Sequence, residues 1–415
     1  MEGGPVALRA TERVALCLRA GPGYGRGMVA LRYLTAGESH GEGLSAIVDG
    51  CPAGLELTAT DIDVDLARRQ GGYGRGGRQA IERDRVRILG GVRYGRTTGA
   101  PVSLYIENRD AANWGDVLAV EAPEEPGRRA EPVLVPRPGH ADLGGALLYG
   151  LGDVRDVIER ASARETAAKV ACGAVAKRLL SVLGCRVASH VVTIGDVSSQ
   201  AVVGIGDLQG VEDDPVRCAD HTAGAAMCAA IDAAREAGDT LGGVVEVLAF
   251  GYPAGVGSYV QGDRRLQSRL AAAVMTVPAM KGVEFGLGFA AAAMRGSAVH
   301  DPIAHDPSRG YLRETNNAGG VEGGISTGET IRLRVAMKPI ATLREPLGSV
   351  ELGTHRAVES RFERSDVCAV PAAGVVLEAV VAFTLATAAL ERFGGTTVSE
   401  LVAALEESRR RSRER

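Results

Sequence analysis

The chain has 415 residues, 45% hydrophobic and 24% charged, with a formal net charge of −4. This is globular composition; the acidic balance speaks against a nucleic-acid binder, and with no charge-free apolar run of 18 or more residues, no transmembrane helix is expected. Seven scattered cysteines without a C-x-x-C pair predict reduced thiols and a cytoplasmic protein.

Residues 1–27 carry no apolar stretch with a cleavage site and read as a disordered extension or an upstream start, with folded structure from about Met28. Strand-like runs follow at Val29–Leu34, Leu44–Val48, Val86–Leu89, Val102–Ile106, Val187–Ile194, Val244–Phe250 and Ile331–Ala336. Helix-like runs lie at Asp61–Arg69, Glu165–Leu183, Gly224–Ala237, Asp263–Met275, Gly374–Arg392 and Val398–Arg409. Gly184 closes the second of these and Gly394–Gly395 the fifth. Ser162 and Glu165 fit a capping box, S-x-x-E, ahead of the second. Mixed elements with short turns between strands point to an α+β fold with antiparallel sheets, a single large domain over 28–395, then a C-terminal helix and charged tail over 396–415. One feature suggests duplication. "LSAIVDGCPAGLELTATDID" at Leu44 resembles "VEVLAFGYPAGVGSYVQGDR" at Val245, each a strand, then G-x-P-A-G, then a helix. Gly50, Pro52, Ala53 and Gly54 align with Gly251, Pro253, Ala254 and Gly255, which predicts internal pseudo-twofold symmetry around one core.

The chemistry concentrates in loops. "LARRQGGYGRGGRQ" (Leu66–Gln79) sets Arg68, Arg69, Arg75 and Arg78 around five glycines. Guanidinium forks match phosphate and carboxylate oxygens, and glycines let backbone N–H groups approach an anion. Taken alone, the segment reads equally as a polyanion site, an RGG-like RNA segment or a solvated loop. His40 stands in "TAGESHGEG" beside Ser39; Arg137 and His140 stand in "PRPGHADLGG"; Arg160, Ser162 and Arg164 stand in "ERASARET", where a helix start also offers N–H groups to a phosphate. "ETNNAGGVEGGISTG", "MKPIATLRE" and "FERSDVCAVPAAGVVLEA" add Lys338, Arg364 and Asp366. "HDPIAHD" (His300–Asp306) spaces its histidines by five around a proline, which favours a loop over a metal site. Together these segments describe a site for a polyphosphorylated ligand or a phosphorylated carboxylate.

The stretches "GESHGEGLSAIVDGCP", "ERASARETAAKVACGAVA" and "RSDVCAVPAAGVVLEA" resemble the three signatures of the chorismate synthase family. "ARRQGGYGRG", "RPGHAD", "GDTLGGVVEV", "NNAGGVEGG" and "MKPIAT" are similar to that family too, and the likeness runs from about Met28 to Gly395. The resemblance implies a β-α-β sandwich assembled as a homotetramer, and a lyase that takes phosphate and a C6 hydrogen from 5-enolpyruvylshikimate 3-phosphate to give chorismate, with reduced FMN and no net redox change. It implies that His40 protonates the departing phosphate, that Asp366 removes the hydrogen with flavin N5, that His140 stabilises the reduced flavin, and that Ser39 adds a hydrogen bond. It implies a substrate cluster of Arg69, Arg75, Arg78, Arg137, Arg164 and Arg364. The FMN positions it implies are Arg160, Ala161, Ser162, Ala279, Gly323, Gly324, Lys338, Pro339, Ile340, Ala341, Thr342 and Arg364. Where relatives often read Q-A-x-K-G this chain has "PAMKG", so Pro278 removes an amide and a backbone N–H at a flavin position. Some members reduce their own flavin with NADPH; without a dinucleotide fingerprint, an external reductant or reductase is expected here.

Overall fold

The computed structural model describes residues 30–76, 83–122, 131–307, 310–361 and 365–414. Arg78, Arg364 and the extension over 1–27 lie outside these residues. The first half of the chain forms β1 (Arg32–Gly37), β2 (Gly43–Asp49), α1 (Ala59–Gln70), β3 (Val86–Gly90), a small hairpin of β4 (Val92–Arg93) and β5 (Arg96–Thr97), and β6 (Val102–Glu107). Two short helices, α2 (Asp142–Tyr149) and α3 (Arg155–Ala161), lead to the long α4 (Thr166–Val182). The second half begins with β7 (Arg186–Ile194), β8 (Val197–Ser198), α5 (His221–Glu236), β9 (Gly243–Phe250), α6 (Leu266–Met275) and β10 (Met280–Phe285). Hairpins β11 (Ile303–Asp306) with β12 (Gly310–Arg313) and β13 (Val321–Glu322) with β14 (Ile325–Ser326) precede β15 (Ile331–Met337). The hairpin of β16 (Gly348–Val350) and β17 (Ala357–Glu359), then α7 (Val370–Phe393) and α8 (Val398–Arg413), complete the chain.

Two antiparallel sheets result, ordered β1-β2-β6-β3 and β10-β15-β9-β7-β8. Period-2 burial along β2 and β6 turns Leu44, Ala46, Val48, Val102, Leu104 and Ile106 inward. Helix α4 covers β2 and β6, α7 covers β7 and β9, and the two helices pack on each other, giving a β-α-β sandwich. They cross closely because position 173 is glycine: a Cβ there would lie 2.2 Å from the Cβ of Ala379. Helix α7 is apolar and long enough to span a bilayer, yet 89% of its most apolar window is buried in the sandwich. At its middle, the fully buried Glu378 accepts from Arg68 of α1 (2.8 and 2.9 Å), Lys177 of α4 (2.6 Å), Ser189 of β7 (2.7 Å) and Arg217 (3.1 Å). Burial alone would raise that carboxyl, but Lys177, Arg68 and Arg217 hold it well below the usual range.

The duplication is visible in hydrogen bonds. In the first half, Thr97 Oγ1 donates to Pro52 O (2.6 Å) and accepts from Leu55 N (2.9 Å), and Gly54 N donates to Thr97 O (2.8 Å). In the second, Ser326 Oγ donates to Pro253 O (2.6 Å) and accepts from Val256 N (2.9 Å), and Gly255 N donates to Ser326 O (2.9 Å). Gly50, Gly54, Gly251 and Gly255 all take positive φ, which is why G-x-P-A-G keeps its glycines. Element order repeats as well: β1, β2, α1, β3, hairpin, β6, α4 against β7, β9, α6, β10, hairpin, β15, α7. Several local expectations change, among them the start of α7, which lies at Val370, four residues early, and the first strand, which runs over Arg32–Gly37. The Ser162–Glu165 capping box does not form; Ser162 Oγ accepts from Arg164 N (3.3 Å), while the Glu165 carboxylate accepts from Thr35 and pairs with Lys169. Helix α5 starts at His221, three residues early, because Asp220 caps Thr222 N and Ala223 N. The helix expected from Asp263 begins at Leu266, after a single 3-10 turn.

Candidate active site

Loops from both halves enclose one cavity of about 710 Å³. It brings together Ser39, His40, Arg69, Arg75, Arg137, His140, Arg160, Ala161, Ser162, Arg164, Ala279, Lys338, Pro339, Ile340, Ala341, Thr342 and Asp366. Gly323 and Gly324 stand elsewhere, in the β13–β14 turn, where Gly324 O accepts from Ser258 N (3.1 Å) and Leu266 N (2.9 Å). They occupy the place that Tyr94 and Gly95 hold in the β4–β5 turn, and all four have positive φ.

The turn between β1 and β2 carries Ser39 and His40, and Asn108 at the end of β6 pins it by donating to Glu38 O (3.0 Å) and Gly41 O (2.7 Å). Glu159 of α3 accepts from His40 N (3.0 Å) and sets its oxygens 3.0 and 2.9 Å from His40 Nδ1. The imidazole stacks on Trp114, with centroids 3.9 Å apart and planes at 22°. Ser162 Oγ donates to Ser39 Oγ (3.1 Å). The second histidine is held differently: Arg137 grips Asp142 through Nε (2.8 Å) and Nη2 (3.2 Å), and His140 Nδ1 bonds the same carboxylate. Burial would raise the Asp142 carboxyl, but hydrogen bonds from His140 and Arg137 hold it well below the usual range.

The arginines crowd together. Arg69, at the end of α1, donates to Thr166 Oγ1 (2.9 Å) and Ala163 O (2.8 Å), and burial, with Arg75 and Arg164 adding and Asp84 and Asp366 opposing, pushes its guanidinium down to about 10. Arg164 pairs with Asp84 and donates to Asn108 Oδ1 (2.9 Å). Arg75 pairs with Asp366 (2.7 Å), which also accepts from Gly76 N (2.7 Å). The buried Nε of Arg75 has no partner among the described residues, so this guanidinium offers a donor to an anion. Arg160 is spent on β1, donating to Gly37 O (3.2 Å) and Thr35 O (3.0 Å). On the far wall Lys338 Nζ donates to Gly139 O (2.7 Å), and burial and neighbouring Lys281 both lower its ammonium. Ala279 sits there at φ 71°, a left-handed backbone for a residue with a side chain, and its carbonyl accepts from Lys338 N (3.0 Å).

Sequence reading missed Glu159, Trp114, Asp142 and Asp84. Glu159, Trp114 and Asp84 act on partners far along the chain, Glu159 lying 119 residues from His40, and no local pattern reveals such a pairing; Asp142 stands two residues from His140, within "RPGHAD", and its role could have been read there. Of the histidines outside the cavity, His305 lies on β11 with its ring 5.1 Å from Tyr311, and no cluster of three or more His, Cys, Asp and Glu forms among the described residues.

Cations facing one space with poised histidines suit proton transfer on a small polyanion, and the fold and cavity together define an enzyme. A sequence model described as chorismate synthase matches residues 31–390. The chorismate synthase of Moorella thermoacetica is 58% identical over 88% of this chain and 94% of its own length. That of Geobacillus thermodenitrificans is 54% identical over 92% of this chain and 100% of its own. A chorismate synthase crystal structure matches with a TM-score of 0.75 at 38% identity, covering 94% of this chain and 100% of that one. The chain belongs to the chorismate synthase family, lyases of the final step of the shikimate pathway.

Proposed function

We propose that this chain eliminates phosphate and the C6 hydrogen of 5-enolpyruvylshikimate 3-phosphate in the anti-1,4 sense to give chorismate, with reduced FMN beside the substrate. The observation that carries this reading is the convergence of Arg69, Arg75, Arg137 and Arg164 with His40, His140 and Asp366 on one cavity. A phosphate and two carboxylates call for that many cations. The residues present fit a flavin mononucleotide. Val277, Pro278 and Ala279, with Pro339 and Ile340, offer an apolar wall for a planar ring, and Lys338, whose charged form is disfavoured by burial and Lys281, gains from a phosphate. Ala161, Ser162, Ala341 and Thr342 line the same space, and Pro278 stands on its wall. Bound reduced FMN supplies the electron density that a carboxylate lacks for activating an unacidic C–H bond.

The chain's own residues do the rest. His40 gives a proton from Nε2 to the departing phosphate. Asp366, held by Arg75 and Gly76 N, is the carboxylate at the hydrogen-removal side. His140, fixed by Asp142 and Arg137, holds a proton toward the flavin. Ser39 contributes a hydroxyl beside His40. Reduced flavin comes from a separate reductant or reductase, the protein is cytoplasmic, and it works as a homotetramer. The exposed Leu34, Ile47 and Leu89 on the outer face of the first sheet support such an assembly. Anaerobic incubation with the enolpyruvyl substrate and reduced FMN tests the function: equal amounts of chorismate and free phosphate are expected, with the flavin still reduced. Absence of either product, or stoichiometric flavin oxidation, rejects it.

A further inference from the structure

The two cavity histidines are both held by a carboxylate, but the carboxylates differ. Asp142 is already matched by Arg137 through two nitrogens before His140 reaches it. Glu159 is buried, with its side chain 3% exposed, and among the described residues no lysine or arginine pairs with it. Its carboxylate spans both the backbone N–H and Nδ1 of one residue, His40. A buried carboxylate without a cation is unfavourable unless a neighbour supplies the positive charge. The nearest group able to do so is the His40 ring.

We propose that Glu159 is the positioning residue of His40: it keeps a proton on Nδ1 and turns Nε2 toward the cavity. The carboxylate fixes ring rotation through two contacts, and Trp114, stacked on one face, closes the remaining freedom. The other charged and titratable groups around this wall are Glu38 on the same turn, Asp110 behind Trp114, Arg160 in the last turn of α3 and Arg164 beyond it, and Arg137 with His140 on the shared cavity lining. The catalytic consequence rests on reading His40 as the proton donor; the geometry around Nδ1 does not.

Trp114 is the chain's one tryptophan, so it reports the state of the ring stacked on it. A protonated imidazole in contact quenches indole emission more than a neutral one. The experiment is a pH titration of emission on the full-length parent, Glu159→Gln, Glu159→Asp and His40→Asn, alongside turnover. The parent's emission should fall as pH falls, and His40→Asn should lose that transition. Glu159→Gln keeps the shape and removes the charge, so its transition should move to lower pH. Its turnover should drop roughly tenfold or more with KM nearly constant. Glu159→Asp should lie between and carries the same comparison should the glutamine variant fail to fold by circular dichroism. A transition unmoved in the folded Glu159 variants overturns the proposal. A shifted transition with unchanged turnover supports the Glu159–His40 assignment and rejects the proton-donor reading instead.

Discussion

The two halves of the sandwich share their scaffold and differ in their loops. After α1 the first half places Gly71, Gly72, Tyr73, Gly74 and Arg75; after α6 the second half places Thr276, Val277, Pro278 and Ala279 at the equivalent junction. One loop is cationic and the other apolar, and both line the same cavity. The connection from β6 to α4 brings Arg137, His140 and Arg164, whereas that from β15 to α7 brings Lys338, Thr342 and Asp366. Between β1 and β2 a tight turn presents His40, while the matching β7–β9 link has grown to include β8 and α5. The buried hydroxyl of Thr97 or Ser326 is retained in each half because it satisfies a turn carbonyl and an N–H, whereas the loops, freed from packing, carry different chemistry.

This comparison can be broken in several places. The largest effect is expected at His40, which has no counterpart in the second half. His40→Ala should lower turnover by about one to four decades, with substrate affinity falling less; steady-state kinetics under anaerobic conditions check this, and near-full turnover would remove His40 from the chemistry. Next is Glu378, which ties Arg68 and Lys177 of the first half to Ser189 of the second. Glu378→Ala removes the buried carboxylate that three cations share, leaving Arg68 with Asp65 and Glu212, Lys177 with Asp65 and Arg217 with Glu212, and should cost about 3 kcal/mol in urea unfolding. Its pH dependence has a defined sign. The folded carboxyl is depressed, so its stabilisation is present above the usual carboxylate range, near pH 4.3, and fades as pH falls toward the folded value. The stability gap between parent and Glu378→Gln should therefore narrow on acidification; a gap that widens would contradict the assignment.

A smaller and sharper test compares the repeated turns. Thr97→Val and Ser326→Ala each strand the same two backbone groups and should each cost about 1–3 kcal/mol, adding when combined. Unequal losses would show that the halves no longer share the turn's energetics. The least effect is expected from deleting Met1–Gly27, which precedes the family match at residue 31; a lost assembly or activity would give that segment a structural role.

Much of this scaffold is legible in the sequence, for local reasons. β2, β6, β9 and β15 alternate or run apolar, and α7 is a long apolar stretch that ends at Gly394. The G-x-P-A-G pair announces the duplication because its glycines need positive φ. Helices α2 and α3 escape notice: α2 contains Gly144 and Gly145, poor helix residues, and both are short. Strand β10 reads "MKGVEF", mostly half-buried, so its alternation is weak. In the cavity, the residues of the glycine- and arginine-rich motifs could be named, but their partners could not. Glu165 looked like a cap and instead meets Thr35, 130 residues away, a contact that only folding creates, besides its i,i+4 pair with Lys169.

The central claim is that Arg75, among the first-half arginines, binds the substrate anion, whereas Lys338 of the second half engages the flavin. Its most direct test is a crossed pair of affinities, measured for the enolpyruvyl substrate and for reduced FMN on Arg75→Met and Lys338→Met. A charge-assisted contact contributes about 1.5–3 kcal/mol, or roughly 10- to 100-fold in affinity. The account predicts that Arg75→Met loses that factor for the substrate and keeps FMN binding within about threefold, and that Lys338→Met does the reverse. Parallel losses of both ligands in both variants would contradict the division.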